Sequence, residues 1–534
     1  MATTTTLKAI GVKTNWSASD IRSATYTMNF GTLAAPVLSP GTGTYEGSVL
    51  VTMSAGADAT IRYTTNGSTP SSSSAAYADP LVLSSTTTVR AKAFHPDYTT
   101  SPETAAIYTT RTQTPVVSVG SGSYAPGTAV TITSPDPAAT LRITLSGVDP
   151  TASDPTIPSG TTLLIGDFAL KVRAFKTGSI DSTVAAATYT LTAPLGVGAV
   201  SAGDAHTVLA TPGGLLYAWG ENASGRLGDG TTTDRTTPTL IPTLTGVTAL
   251  AAGGSHTLAV TWDGRLFAWG NNGSGRLGDG TTTTRTTPVR VSSLANVVAV
   301  AAGDSHSLAL TADGYVYAWG LGSNGRLGLG TTASQSMPML VPGLSDVVEI
   351  AAGGAHSLAV TRDGQLYAWG SNTSSQLGDG TTTSRLSPTP ASALADVLDV
   401  AAGASHSLAL LQDGTVYAWG AGASGQLGLG TTSTQSTPTL IPGLTATDLT
   451  TNGNHALTVR GDGVLVSWGA NAAGQLGDTT TTMRASPTVV AGPARVAALA
   501  AGSDGLGAPK AIRTWPRGST RTASVRTICS PPIR

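Results

Sequence analysis

Val297-Val-Ala-Val-Ala-Ala-Gly303, His306-Ser-Leu-Ala-Leu-Thr311, Asp313-Gly314 and Tyr315-Val-Tyr-Ala-Trp-Gly320 follow one another in this chain, and a glycine-rich stretch then leads to Pro338-Met-Leu-Val-Pro342. The first three runs are short, apolar and bounded by Gly, Asp-Gly or Pro, the punctuation of β-strands. Asp-Gly between two such runs predicts a two-residue hairpin turn with both central residues at positive φ. The unit therefore reads as four short strands, and it recurs. His206, His256, His306, His356 and His406 are spaced by 50 residues, and His455 follows at 49. Trp219, Trp269, Trp319, Trp369, Trp419 and Trp468 each stand thirteen residues after their His. Asp-Gly returns at Asp263, Asp363, Asp413 and Asp462, with Gly213-Gly214 in the first copy. A four-stranded unit repeating every 40 to 50 residues predicts the blade of a β-propeller; a solenoid is the weaker alternative, because its units are usually shorter.

Ala268-Trp-Gly-Asn-Asn-Gly-Ser-Gly-Arg-Leu-Gly-Asp-Gly-Thr-Thr282, with Ala-Ala-Gly-x-x-His-Ser-Leu-Ala standing in three of the copies, resembles the repeat of the regulator of chromosome condensation family. The resemblance covers about 195–502, some six units. It implies an all-β propeller, usually seven-bladed, with glycine turns and aromatic residues packing blade on blade.

The copies also differ in an ordered way. Asp229, Asp279, Asp379 and Asp478 are followed six residues later by Arg235, Arg285, Arg385 and Arg484; the other two copies carry Leu329 with Gln335 and Leu429 with Gln435. Acid goes with base, and Leu with Gln. The two positions are inferred to touch, Asp and Arg forming an ion pair that closes the loop; duplication of a two-unit block would give the same pattern. A seventh unit begins at Val496-Ala-Ala-Leu-Ala-Ala-Gly502, but Gly505 and Gly518 stand where His and Trp are due. The tail, 503–534, reads as unrelated sequence translated from a shifted frame, which would leave a broken seventh blade and open strand edges.

A second repeat precedes the first. Val89-Arg-Ala-Lys-Ala-Phe94, Ser101 and Tyr108 share their offsets with Leu170-Lys-Val-Arg-Ala-Phe175, Ser182 and Tyr189, and with Leu7-Lys-Ala-Ile-Gly-Val-Lys13, Ser19 and Tyr26. Alternating strands such as Ala59-Thr-Ile-Arg-Tyr-Thr64, meeting a turn at Asn66-Gly67, predict immunoglobulin-like β-sandwich modules at 35–109 and 114–191. Ile61-Arg-Tyr-Thr-Thr-Asn-Gly-Ser-Thr-Pro70 is similar to the β-sandwich module attached to chitobiases and hexosaminidases. Residues 1–31 match the last third of such a module and read as its C-terminal remnant, so the chain is expected to be a fragment. Modules of this type usually belong to secreted or surface bacterial proteins, and an extracellular or cell-surface location is expected.

Composition narrows the function. Gly supplies 65 of 534 residues and charged residues 11%, against averages of about 7% and about 25%. Lys and Arg number 29 against 30 Asp and Glu, and six of the basic residues lie in the last 25 positions. No general basic field exists to attract nucleic acid. The one cysteine, Cys529, excludes a disulfide framework and a Cys-based zinc site, and no run of eighteen apolar residues offers a membrane span.

Six histidines, one per blade at equal depth, are spread around a ring and do not converge as zinc ligands; each is expected to bond neighbouring backbone. The six tryptophans are expected in the blade interfaces, whereas Trp262, beside Asp263-Gly264, is expected at the surface. Each Asp-Gly-Thr-Thr loop offers one carboxylate, far from the six to eight oxygens of a calcium site. No catalytic set, metal site or cofactor site is evident. The reading is a non-enzymatic scaffold whose propeller loops bind a protein, with sandwich modules as spacers. The alternatives are carbohydrate or cell-wall attachment, for which Tyr63 and Tyr77 are the aromatic candidates, and guanine nucleotide exchange. The resemblance implies the last through a β-wedge inserted in one blade, and units held at 49 or 50 residues leave no insertion to form it.

Overall fold

The computed structural model describes residues 5–26, 30–56, 58–125, 128–192, 198–391, 394–494 and 499–502. Val496, Ala497 and Ala498 of the seventh unit, and the tail 503–534, lie outside the described residues. The chain divides into two compact units, one of Met1–Ser118, Thr131–Thr161 and Leu170–Ala187, the other of Val119–Val130, Thr162–Ala169 and Thr188–Arg534. The boundary runs through the second module.

In the first unit, Thr5–Ala9 and Arg22–Tyr26 form an antiparallel pair. The following module is a sandwich. Val37–Ser39, Val49–Ser54 and Leu81–Leu83 make one sheet, and Gly43–Glu46, Thr104–Arg111, Thr87–Phe94, Thr60–Thr64 and Ala75–Ala76, in that order, make the other. Alternation sends Val49, Val51 and Met53 inward, and Val89, Ala91 and Tyr108 meet them from the facing sheet. Tyr63 and Tyr77 are half-buried against this core. Neither ring is fully exposed, since each lays part of its surface on the sandwich interior. In the second module, Thr140–Thr144 pairs with 171–175 just as Thr60–Thr64 pairs with 90–94.

The second unit holds six four-stranded antiparallel sheets among the described residues, each in simple sequential order. Blade three consists of Val297–Ala302, His306–Thr311, Val316–Gly320 and Gln335–Leu340. The first strands of all six, with Leu499, Ala500 and Ala501, line one central channel of about 630 Å³. Every outermost strand carries a proline (Pro238, Pro288, Pro338, Pro388, Pro438, Pro487), which lacks the N–H that a foreign strand would pair with.

The turn between the second and third strands departs from expectation. Gly314 has φ 81°, but Asp313 is not at positive φ. Gly314 N–H donates to Thr311 O at 2.9 Å and Thr311 N–H to Tyr315 O at 3.0 Å, so the loop is one residue longer and closes with a glycine bulge. The Asp313 carboxylate accepts the Thr311 hydroxyl and holds its own backbone on the right-handed side.

Candidate functional site

The repeat's reactive side chains meet at the seams between blades. Trp319, fully buried, leaves its own sheet and packs among Leu258, Leu266, Leu277 and Val291 of the preceding blade. Its indole N–H donates to Arg276 O at 2.8 Å. Trp269, Trp369, Trp419 and Trp468 do the same to Arg226, Arg326, Gln376 and Gln426, each at 2.9 Å. Gly278 makes the approach feasible: a Cβ there would sit 2.7 Å from the indole nitrogen, and its φ of 74° disfavours any side chain. Trp262 is exposed, as its place beside the hairpin turn requires.

Four histidines, His206, His256, His306 and His356, reach the same carbonyl through a hydroxyl. His256 Nε2 lies 2.8 Å from Ser307 Oγ in the next blade, and that hydroxyl donates to Arg276 O at 2.7 Å. A serine has one proton to give. It must therefore accept from the imidazole, which fixes His256 as the neutral tautomer protonated on Nε2. The partner is thus a side chain on the neighbouring blade and not nearby backbone, which corrects the expectation from sequence. His206, His306 and His356 meet Thr257, Ser357 and Ser407 at 2.9 Å. In the sixth blade Ala456 replaces the hydroxyl residue, and Thr451 from the first strand takes its place 2.8 Å from His406. Burial drives these imidazoles far below their ordinary range, to about 3 for His206, His306 and His356 and about 4 for His406. His256 is likewise pushed well below it by burial, with Arg276 adding to the shift. Such groups are neutral structural donors, unavailable for acid–base work near neutrality.

The glycine loop is closed by a clamp. Asp279 Oδ2 accepts from Arg285 Nε at 2.9 Å and lies 2.8 Å from Nη2, while Oδ1 accepts the Thr281 amide and hydroxyl at 3.0 and 2.7 Å. Pairs Asp229–Arg235, Asp379–Arg385 and Asp478–Arg484 repeat this at 2.6, 2.6 and 2.8 Å. Burial pushes the Asp279 carboxyl up, but the Thr281 and Arg285 donors outweigh it and hold the group below its ordinary value. The centre of the clamp is a residue that sequence reading passed over. Asn272 Nδ2 donates to Asp279 Oδ1 and to the carbonyls of Thr281 and Thr283, and its Oδ1 accepts from Leu277 N–H. Asn222, Asn372 and Asn471 do likewise, whereas Gly322 and Gly422 stand there in the Leu–Gln copies. The copy-against-copy comparison that paired Asp with Arg would have found it.

Along the channel stand Asp204, Asp304, Glu349, Asp399, Asp448 and Arg362. Burial pushes the Asp448 carboxyl up to about 6. Asp304 is also raised, by burial and by Asp204, against Arg326 and Arg276. Among the described residues no three His, Cys, Asp or Glu side chains converge to hold a metal.

Residues 173–506 match the model of the RCC1-like domain, more than half of the sequence. The chain belongs to the RCC1-like domain family. Residues 40–110 match the chitobiase/beta-hexosaminidase C-terminal domain. The RCC1-like propeller is similar to human WBSCR16, at 27% identity and TM-score 0.52 over 57% of this chain and 84% of that one. Yeast RCC1 (Prp20), solved bound to Kap60, gives 24% and 0.52 over 57% and 78%. Prp20p from Saccharomyces cerevisiae, described with its binding to Gsp1p and histones, gives 22% and 0.50 over 70% and 91%. Those last two likenesses concern the fold. No curated protein matches the chain.

Proposed function

We propose that the RCC1-like propeller is a non-enzymatic, protein-binding scaffold acting outside the cell or at its surface, with the sandwich modules as spacers. One observation carries the reading. The seam and clamp residues are spent inside the ring, while one position per blade is free to vary at the tip of the second hairpin. It holds Pro212, Trp262, Ala312, Arg362, Gln412 and Gly461, and from Trp262 onward every one is exposed. A constant frame bearing a different tip on each blade suits recognition of an irregular protein surface, in which Trp and Arg make the strongest anchors. Two proteins of similar fold support it: yeast RCC1 (Prp20), solved bound to Kap60, and Prp20p, described with its binding to Gsp1p and histones. Nucleotide exchange is disfavoured, since no blade carries an inserted strand among the described residues.

The test places a photo-crosslinker at residue 262 and, as control, at residue 337 on an outer strand of the full chain. Crosslinks to protein at 262, abolished by excess unlabelled chain and weakened about tenfold by Arg362→Ala, support the reading. It is overturned if 262 captures nothing that 337 does not, if the chain speeds nucleotide release from a GTPase, or if it retains a polysaccharide with the affinity assigned to protein.

A further inference from the structure

Five seams share two cross-blade bonds; the sixth has neither, and is bridged near the channel by Asn452 Nδ2 donating to Ala202 O at 3.1 Å. In the closed seams the N–H of Gly230, Gly280, Gly330, Gly380 and Gly430 donates to the outer strand of the next blade, at Thr286, Ser336, Leu386, Ser436 and Ala485, over 2.8–3.0 Å. The sixth blade has Thr479 at that position, held at φ 65° despite its branched side chain, and among the described residues nothing accepts its N–H. Gly474 beside it is equally bare. A Cβ on Gly225, Gly275, Gly325 or Gly425 would strike the next blade's outer strand at 2.5–2.8 Å, but on Gly474 it would meet nothing closer than 3.9 Å. A shallow groove lies there, lined by Gly474, Gly477, Thr479, Thr480, Thr481 and Thr482.

The first blade shows the opposite wall. Trp219 is 6% exposed and Thr207 fully buried, yet the indole N–H and the hydroxyl have no partner. Their counterparts Trp319 and Ser307 both donate to one backbone carbonyl, Arg276 O. Two buried donors thus await a carbonyl from a glycine turn, and one exposed N–H awaits a carbonyl from an outer strand. In blade two a single stretch supplies both: Arg276 O serves the blade after it, and Thr286 O, ten residues on, serves the blade before it. The chain's own next positions carry Gly505 and Gly518 in place of the repeat's His and Trp.

We propose that the seam between the sixth and first blades is an interaction site that takes a glycine turn and outer strand of this same repeat type from another polypeptide. The incoming segment lies extended along the Gly474 groove and turns its Gly-x-Leu-Gly carbonyl onto Trp219 and Thr207. This surface is separate from the hairpin tips, and its test does not depend on them.

The probe is a fluorescent peptide of residues 271–291 of this chain, added to the full chain and followed by anisotropy. Saturable one-to-one binding is expected, about tenfold weaker to Thr207→Val and to Trp219→Phe, each of which removes one donor. Trp319→Phe, in a closed seam, should bind the peptide as the unaltered chain does, and a scrambled peptide should not bind. The proposal is overturned if the peptide does not bind, or if scrambling or either seam substitution leaves affinity unchanged.

Discussion

Blades two and three share a backbone but not a loop chemistry. Blade two ties its glycine loop with Asn272, Asp279 and Arg285, five donors converging on one carboxylate. Blade three replaces all three: Gly322 lets the chain fold in until Ala333 O would lie 2.1 Å from a Cβ, Leu329 leans on the blade's apolar cluster, and Gln335 carries no charge. The difference teaches that the loop can be closed by charge or by hydrocarbon, but the three positions must change together. The seam below is indifferent to the choice, since Trp319 and Trp369 are buried alike behind either loop.

The comparison can be broken or sharpened at several levels. Acid should act on the seam common to both blade types and give the largest effect. The five histidines have folded values well below the ordinary 6.5. As pH falls below 6.5 the unfolded chain takes up protons that the folded chain refuses, so stability is lost progressively down to the folded values. By linkage this amounts to roughly 2 kcal/mol for each of His206, His306, His356 and His406 between pH 7 and pH 5. Urea unfolding at the two pH values measures it, and His256→Gln, which keeps a donor but cannot titrate, should flatten the slope by one histidine's share. Equal stability at both pH values would remove the assignment of buried neutral imidazoles.

A loop transplant comes next. Gly322→Asn alone should destabilise by about 2–3 kcal/mol, because the side chain enters space already filled by backbone. Adding Leu329→Asp and Gln335→Arg should recover most of the loss, and a triple variant no better than the single would show that the positions are independent. The smallest effect is expected within the clamp. A double-mutant cycle on Asp279→Ala and Arg285→Ala should give a coupling of about 1 kcal/mol, discounted because the arginine is one-third exposed. The same cycle on Leu329 and Gln335 should give less than about 0.5 kcal/mol, and equal couplings would erase the distinction between the blades.

Much of this was legible in the chain because repetition is its own control. Six His–Trp offsets placed the strands, and alternation placed Val51 and Val89 in the sandwich core. Asn272 was legible too, since Asn stands at its position in every copy that carries the Asp and Arg and Gly stands there in the other two. Other features were hidden. The turn at Asp313 depends on whether the carboxylate bonds its own neighbour, a competition between local conformers that dipeptide preference does not resolve. The partner of His256 could not be read because Ser307 lies 51 residues away and becomes a neighbour when blades stand side by side. Thr451 standing in for Ala456 is the same case, a substitution rescued from a different strand.

By itself the sequence determined the four-strand unit, its recurrence and its apolar faces, because strand period, turn residues and repeat spacing are local or copy-to-copy properties. Tertiary structure alone decided which groups meet across a seam, and which are left facing none. Hydrogen bonds between blades depend on where a neighbour lies in space, and Trp219 stands in the same Tyr-Ala-Trp-Gly run as Trp319 while lacking the carbonyl that Trp319 finds.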